Sequence, residues 1–102
     1  MDGKIFDQPD EVLDEIVFQR TDGKISADLE GEEVILDMES GLYFGLNEVG
    51  QFIWKRLEEP CSFRTILDSM LSEYDVTEEI CRSDLRTFLK GMVEAGLVQA
   101  ME

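Results

Sequence analysis

The hydrophobic positions between residues 16 and 46 alternate over short stretches that glycine-containing turns interrupt. Period-two alternation with β-branched and aromatic residues is typical of strands. The stretches are Ile16–Phe18, Ile25–Leu29, Val34–Met38 and Leu42–Leu46. Only Glu39, Ser40 and Gly41 separate the last two, so the sequence predicts that they form an antiparallel hairpin. In the last stretch alternate residues face opposite sides, so Tyr43 points away from the face that carries Phe44.

After residue 46 the hydrophobic period becomes helical, in three segments that each begin at a residue able to cap a helix. Asn47, Ser62 and Thr77 are the N-cap candidates, and Gly96 ends the third segment. The apolar stripes of the three segments are, in order, Val49, Phe52, Ile53 and Leu57; Phe63, Ile66, Leu67, Met70 and Leu71; and Cys81, Leu85, Phe88, Leu89, Met92 and Val93. Strands followed by helices predict an α+β domain, with the helices packed on one face of a three-stranded antiparallel sheet.

The first 15 residues differ from the rest because they are dominated by Asp and Glu and contain Pro9. We predict that residues 1–15 form an acidic, partly mobile N-terminal segment. Residues 16–102 then form one domain, because a chain of 102 residues has too little interior for two.

The charge of the chain bears on its partners. With 24 acidic and 9 basic residues, the net charge is −15. Such a field repels nucleic acid phosphates and anionic lipid headgroups, so we expect neither a nucleic acid nor a membrane partner. It favours partners that carry a basic region, although an acidic surface also serves solubility alone.

The chain contains no histidine, which removes the usual general base and the commonest zinc ligand. No pair of carboxylates or lysines has a compelling spacing, so an enzyme is the disfavoured class, and no catalytic residue, metal or cofactor is expected. Cys61 and Cys81 are expected to be buried thiols rather than a disulfide. No stretch approaches the roughly 20 apolar residues of a membrane span, so the expected location is cytoplasmic.

Three of the nine basic residues, Arg82, Arg86 and Lys90, fall four residues apart on the predicted third helix. This spacing places them in one row along the flank of the apolar stripe. Two interpretations are open. The row either contacts an acidic ligand or is a solvated helix face that pairs with neighbouring acids such as Glu78 and Glu94.

A three-stranded sheet must end in an edge strand with unpaired N–H and C=O groups. Such an edge beside an amphipathic helix can accept a peptide as an additional strand, although the pattern does not show which strand is the edge. Two large aromatic residues bear on this question. Trp54 lies next to the stripe of the first helix and is expected in the core, while the role of Tyr43 is left open.

The hairpin and the helices that follow it carry an ordered set of residues. The set consists of Val34–Asp37, Ser40–Asn47, Gly50, Ile53 and Trp54, followed by Tyr74–Val76, Asp84–Leu85, Phe88–Leu89 and Gly96–Val98. The combination resembles the PqqD-like family, whose members are also called RiPP recognition elements because they recognise ribosomally made precursor peptides. The resemblance covers roughly residues 25–99.

The resemblance implies a winged-helix-like domain in which a leader peptide adds to the third strand and lies against the third helix. Carried onto this chain, the implied peptide-binding residues are Leu42, Tyr43, Phe44, Gly45, Leu46, Arg82, Leu85, Arg86, Leu89 and Lys90. For Leu85 and Leu89 a place in the core is the competing interpretation. The implied partners are a precursor leader peptide and a separate modifying enzyme, either a radical SAM enzyme or the leader peptidase and cyclase of a lasso-peptide system. A free-standing monomer or weak dimer is expected.

Two other classes compete with this interpretation. In a DNA-binding winged helix, Arg82, Arg86 and Lys90 would contact phosphates, but the −15 charge and the acidic hairpin turn oppose this. An adaptor that binds a folded protein is harder to distinguish, because a peptide chaperone must also dock on its enzyme.

Overall fold

The computed structural model describes residues 2–30 and 32–101. A 3-10 helix, Asp2–Asp7, precedes the regular elements. In chain order these are α1 (Asp10–Leu13), β1 (Val17–Arg20), β2 (Lys24–Leu29), β3 (Glu32–Asp37), β4 (Tyr43–Leu46), α2 (Glu48–Arg56), β5 (Cys61–Ser62), α3 (Phe63–Glu73), α4 (Glu78–Glu94) and β6 (Val98–Met101).

The predicted three-stranded antiparallel sheet is confirmed and has the order β2-β3-β4. Ile35 pairs with Phe44 across the hairpin, and Ser26 pairs with Ile35 on the other side. Gly41, at the hairpin turn, has a φ of 75°, a backbone conformation that favours glycine. The three predicted helices follow as α2, α3 and α4, so the α+β fold class is confirmed.

A second three-stranded sheet, in the order β5-β1-β6, was not predicted. The Ile16–Phe18 stretch supplies β1, which pairs antiparallel with the C-terminal strand β6 from Val17 opposite Met101 to Arg20 opposite Val98. The turn into β6 has a local cause. Gly96, at a φ of 78°, donates its N–H to the carbonyl of Val93, and Leu97 donates to that of Met92. These two bonds reverse the chain directly after α4.

The three predicted N-caps are confirmed. The side-chain oxygen of Asn47 accepts from the N–H of Gly50 at 2.9 Å, and the hydroxyl of Ser62 accepts from Thr65 at 3.1 Å. The hydroxyl of Thr77 accepts from the third residue of α4 at 3.3 Å. Each bond satisfies a backbone donor that the first helical turn leaves free, which explains why each helix begins where it does.

The apolar stripes of the helices form the core together with Phe18, Ile35 and Leu46. Trp54 is buried as predicted. Its indole N–H donates to the Ser26 hydroxyl at 3.1 Å, and the guanidinium of Arg20 stacks 4.0 Å from the ring centre. The placement of Val49 in the α2 stripe was wrong: its side chain is 40% exposed, because Gly50 and Gln51 face inward instead.

The N-terminal segment contributes two side chains to the same core. Leu13 is fully buried, and Phe6 is buried with its ring stacked 5.7 Å from that of Phe18. The mobility of residues 1–15 and the boundary at residue 16 stay predictions. Both cysteines are free thiols, with Cys81 buried and Cys61 half-buried. Among residues 2–30 and 32–101, no helix is long and apolar enough to cross a membrane.

Candidate functional site

The strand β4 is an edge strand of the β2-β3-β4 sheet. The N–H of Asp37 donates to the carbonyl of Leu42 at 2.9 Å. This bond shows which residues of β4 point their backbone groups toward β3 and which point them away. In an antiparallel pair every second residue bonds its partner strand, so Phe44 and Leu46 bond β3. The N–H and C=O groups of Tyr43 and Gly45 therefore point away from β3, and within the described part of the chain no strand pairs with them.

The side chains of β4 alternate as the sequence predicts. Leu46 is buried and Phe44 half-buried on the side that faces α2, whereas Tyr43 is 71% exposed on the opposite face. Leu42 precedes the strand and is itself 59% exposed, so it does not share the burial of Phe44 and Leu46. Gly45 adds no side chain at the edge, and a Cβ there would meet no atom within 4 Å.

One flank of α4 approaches the end of β4. A Cβ built on Gly50 would lie 3.1 Å from the ring of Phe88 and 3.2 Å from the Cβ of Leu46, so the three residues converge. Asp84 lies one helical turn before Phe88 and shares its flank. The sequence predicts Phe88 in the apolar stripe of α4, whereas in the structure it is half-buried, with its ring beside Gly50 and Leu46.

An apolar cleft of about 120 Å³ lies beside neighbours of this junction, because Val49 precedes Gly50 in α2 and Asp84 lies one turn before Phe88 in α4. Its lining residues come from the start of α2, the end of α3 and the start of α4: Val49, Met70, Tyr74, Val76, Cys81 and Asp84. Burial raises the pKa of the Tyr74 hydroxyl and of the Cys81 thiol, so both stay neutral at physiological pH. The cleft can take an apolar group, and Asp84 is its one charged lining residue. Val49 and Val76 at this cleft are exposed, which the sequence pattern does not indicate.

The predicted basic row lies on a different flank of α4. Arg86 and Phe88 are two residues apart and therefore about 200° apart around the helix. Arg82 is 9% exposed and donates two hydrogen bonds to Asp14, at 2.6 and 3.3 Å. Arg86 donates to Asp10 at 3.0 Å, while Lys90 is exposed.

The ion pairs hold α1 against α4. The hydrogen bonds from Arg82 lower the pKa of the Asp14 carboxyl, and the same bonds raise the pKa of Arg82. Glu78 also contacts Arg82, at 3.3 Å, as the solvated-face interpretation anticipated. An open depression of about 430 Å³ lies above these pairs and is lined by three carboxylates and two guanidiniums, of which all but Glu79 belong to the ion pairs.

The two leucines predicted to contact a peptide lie beneath the groove between the β4 edge and the Phe88 flank of α4. Leu85 and Leu89 are both fully buried in the core. The structure thus brings Leu46, at the end of the β4 edge, together with Phe88, and it places the basic row on a different flank of α4. In the described residues no group of three or more acidic or thiol side chains is arranged to hold a metal ion.

Comparison with known families decides the relationship that the sequence suggested. Residues 32–98 match the family described as Coenzyme PQQ synthesis protein D (PqqD). The chain belongs to the PqqD family. The match begins at Glu32, the first residue of β3, and spans β3, β4 and the helices α2, α3 and α4, so both the edge strand β4 and α4 lie inside it.

Two solved structures are similar to this PqqD-family chain. The first, TbiB1 in complex with the TbiA(beta) leader peptide, is 36% identical in sequence. The match covers 78% of this chain and 93% of TbiB1, with a TM-score of 0.74. The second, lasso peptide synthetase B1 complexed with the leader peptide, is 26% identical in sequence. That match covers 83% of this chain and 98% of the B1 chain, with a TM-score of 0.72. None of the curated proteins matches the sequence.

Proposed function

We propose that the chain binds the leader segment of a ribosomally made precursor peptide and presents it to a separate modifying enzyme. The observation that carries the proposal is the open edge of β4, where the backbone groups of Tyr43 and Gly45 face outward. Membership of the PqqD family supports it, as do two similar structures that both contain a leader peptide.

In this mechanism the leader pairs with β4 as a fourth strand. Main-chain hydrogen bonds to Tyr43 and Gly45 supply affinity that does not depend on the leader sequence. Alternate leader side chains face α4, where Phe88 and the apolar cleft beside Val49 can bury them. Specificity then comes from which apolar side chains the leader offers at the spacing of the cleft.

The predicted contact residues of α4 have indirect roles in this mechanism. Leu85 and Leu89 support the groove from below, because they have no exposed surface for a ligand. An acidic leader would reach Arg82 or Arg86 only by displacing Asp14 or Asp10. Direct peptide contact by these four residues and by Lys90 stays a prediction from the sequence.

We infer that the enzyme partner belongs to a lasso-peptide system rather than to a radical SAM system. The similarity to lasso peptide synthetase B1 supports this choice. The DNA-binding alternative receives no support from the geometry, because the charges of Arg82 and Arg86 are compensated within the fold and the hairpin turn carries Asp37 and Glu39.

Fluorescence anisotropy with labelled peptides tests the proposed function. The probes are the leader of the precursor encoded beside this chain and the TbiA(beta) leader, and a scrambled leader of the same composition is the control. We expect a Kd of about 1 μM or tighter for at least one leader, equivalent to roughly −8 kcal/mol. Equal binding of intact and scrambled leaders, or no binding of either intact leader, would contradict the proposal.

A further inference from the structure

The face of the β2-β3-β4 sheet that points away from α2 is apolar. The strand register places Ile25 beside Leu36 and Leu36 beside Tyr43 in one row. The next row consists of Ala27, Val34 and Gly45. Together with Leu29 on the same side of β2, these residues form a continuous surface that we call the outer face: Ile25, Ala27, Leu29, Val34, Leu36, Tyr43 and Gly45.

The outer face is open to solvent. Ile25 is 54% exposed, Leu29 57% and Tyr43 71%. The solvent side of an antiparallel sheet ordinarily carries polar residues. Here Ser26 lies on the other face, where its hydroxyl accepts from Trp54. Exposed apolar surface that is continuous across three strands is typical of an interaction site.

The charges around the outer face restrict its occupant. Glu30, Glu32 and Glu39 lie exposed at its two ends, next to the hairpin turns. The side chain of the nearby Lys24 is buried, at 6% exposed, and its ammonium lies 3.6 Å from the Asp37 carboxylate. The border is therefore acidic, and the whole chain carries −15. A second copy would bring two acidic borders together, whereas a partner with an apolar patch bordered by Lys and Arg complements the charge.

The size of the outer face restricts the mode of docking. Three strands spaced about 4.8 Å apart, over about four residues each, give roughly 200 Å². A stable interface needs about 800 Å² on each partner. A leader added to β4 widens the sheet by one strand, and every second leader side chain then lies next to Tyr43 and Gly45 on the outer face. Leader capture thus enlarges the outer face beside its most exposed residue.

We propose that the outer face is the docking surface for the modifying enzyme, which presents an apolar patch with a basic border, and that the bound leader completes this surface. The leader-dependent part rests on the proposed function. The chain thereby couples the two partners, because the enzyme binds the leader-loaded form more tightly than the empty form. The leader side chains that face α4 contact this chain, and the alternate ones, which lie on the outer face, contact the enzyme.

Surface plasmon resonance tests the proposal, with the purified modifying enzyme encoded beside this chain immobilised as the probe. The full chain is passed over it alone and with saturating leader. The test variant is Ile25→Lys, and Leu29→Lys is a second variant on the same face. The matched control is Val12→Lys at an exposed site, 44% exposed, on α1, which pairs with the basic flank of α4. Leader affinity and thermal melting are measured for every variant.

We expect the leader to tighten enzyme binding at least tenfold for the unmodified chain. Ile25→Lys and Leu29→Lys should weaken enzyme binding at least tenfold and leave leader affinity within twofold. Val12→Lys should change neither. Equal enzyme affinity of Ile25→Lys and Val12→Lys, both folded, would overturn the proposal.

Two other outcomes separate this inference from the proposed function. A chain that sediments as a dimer, and as a monomer after Ile25→Lys, would mean that a second copy covers the outer face, which overturns enzyme docking. A chain that binds no leader but loses enzyme binding after Ile25→Lys would overturn the proposed function and the role of the leader, while the outer face remains the docking surface.

Discussion

Arg82 and Asp14 lie 68 residues apart in the sequence and form an ion pair through two hydrogen bonds, from Nη1 at 2.6 Å and from Nη2 at 3.3 Å. The pair joins the N-terminal segment to α4, and only a tenth of the Arg82 side chain is exposed. Arg64 also approaches Asp14, at 3.7 Å, but its own side chain is 41% exposed. The fold therefore offers one largely buried ion pair and one exposed pair to the same carboxylate.

Removal of the Arg82 side chain should destabilise the protein far more than removal of Arg64. Arg82→Ala leaves the mostly buried Asp14 carboxylate without its main partner, and we expect a loss of about 2 kcal/mol in the free energy of unfolding. Arg64→Ala should cost less than about 1 kcal/mol, because solvent screens the exposed pair. Urea unfolding measures both values. Similar losses for the two variants would contradict the assignment of Asp14 to Arg82.

The stability that Asp14 contributes should depend on pH. Its pKa is lowered from 3.8 in the folded chain, chiefly by the hydrogen bonds from Arg82. A lowered folded-state pKa stabilises the protein above the unfolded-state pKa, and this contribution is lost as the pH falls through the folded-state value. The stability difference between the unmodified chain and Asp14→Asn should thus be larger at about pH 7 than at about pH 3. A difference that does not change with pH would show that the carboxylate charge is not what Arg82 binds.

Gly50 in α2 and Gly91 in α4 should respond oppositely to substitution by alanine. At Gly91 a Cβ meets nothing within 4 Å, so Gly91→Ala should stabilise the protein by about 0.5–1 kcal/mol through helix propensity. At Gly50 a Cβ would lie 3.1 Å from the Phe88 ring and 3.2 Å from the Leu46 Cβ. Gly50→Ala should therefore destabilise by about 1 kcal/mol despite its better propensity. Thermal melting of both variants checks the opposite signs, and stabilisation by both would mean that the junction is loosely packed.

Leader binding should require the outward N–H of Gly45. Proline is tolerated on edge strands when its nitrogen faces away from the ladder, so Gly45→Pro should fold and still lose one intermolecular hydrogen bond. We expect leader affinity to fall about tenfold or more, equivalent to at least about 1.4 kcal/mol. Gly45→Ala keeps the N–H and has room for its Cβ, so its affinity should be unchanged. If Gly45→Pro binds the leader as tightly as Gly45→Ala, the leader does not pair with this edge.

The features that the sequence predicted correctly depend on nearby residues. The caps at Asn47, Ser62 and Thr77 and the stop at Gly96 each act within one helical turn. The β3-β4 hairpin likewise depends on a short connection. These interactions are local, so the residue types and their spacing suffice to indicate them.

The features that the sequence did not predict depend on contacts between distant residues. β1 pairs with β6, which places Val17 opposite Met101. The sequence of neither strand indicates its pairing partner. The basic row was recognised as one flank of a helix, but a helical pattern does not show which element covers that flank. In the folded chain Asp10 and Asp14 cover Arg86 and Arg82, and the flank of Phe88 lies beside β4 instead.

The most direct test of leader capture at β4 is the change in amide chemical shifts of the ¹⁵N-labelled chain when the leader of the neighbouring precursor is added. Strand addition predicts that the largest changes fall on Tyr43 and Gly45 and on the α4 flank of Asp84 and Phe88. Amides around Asp14 should shift little. Changes confined to the Asp14 and Arg82 surface, or saturable binding with no change in β4, would contradict the account.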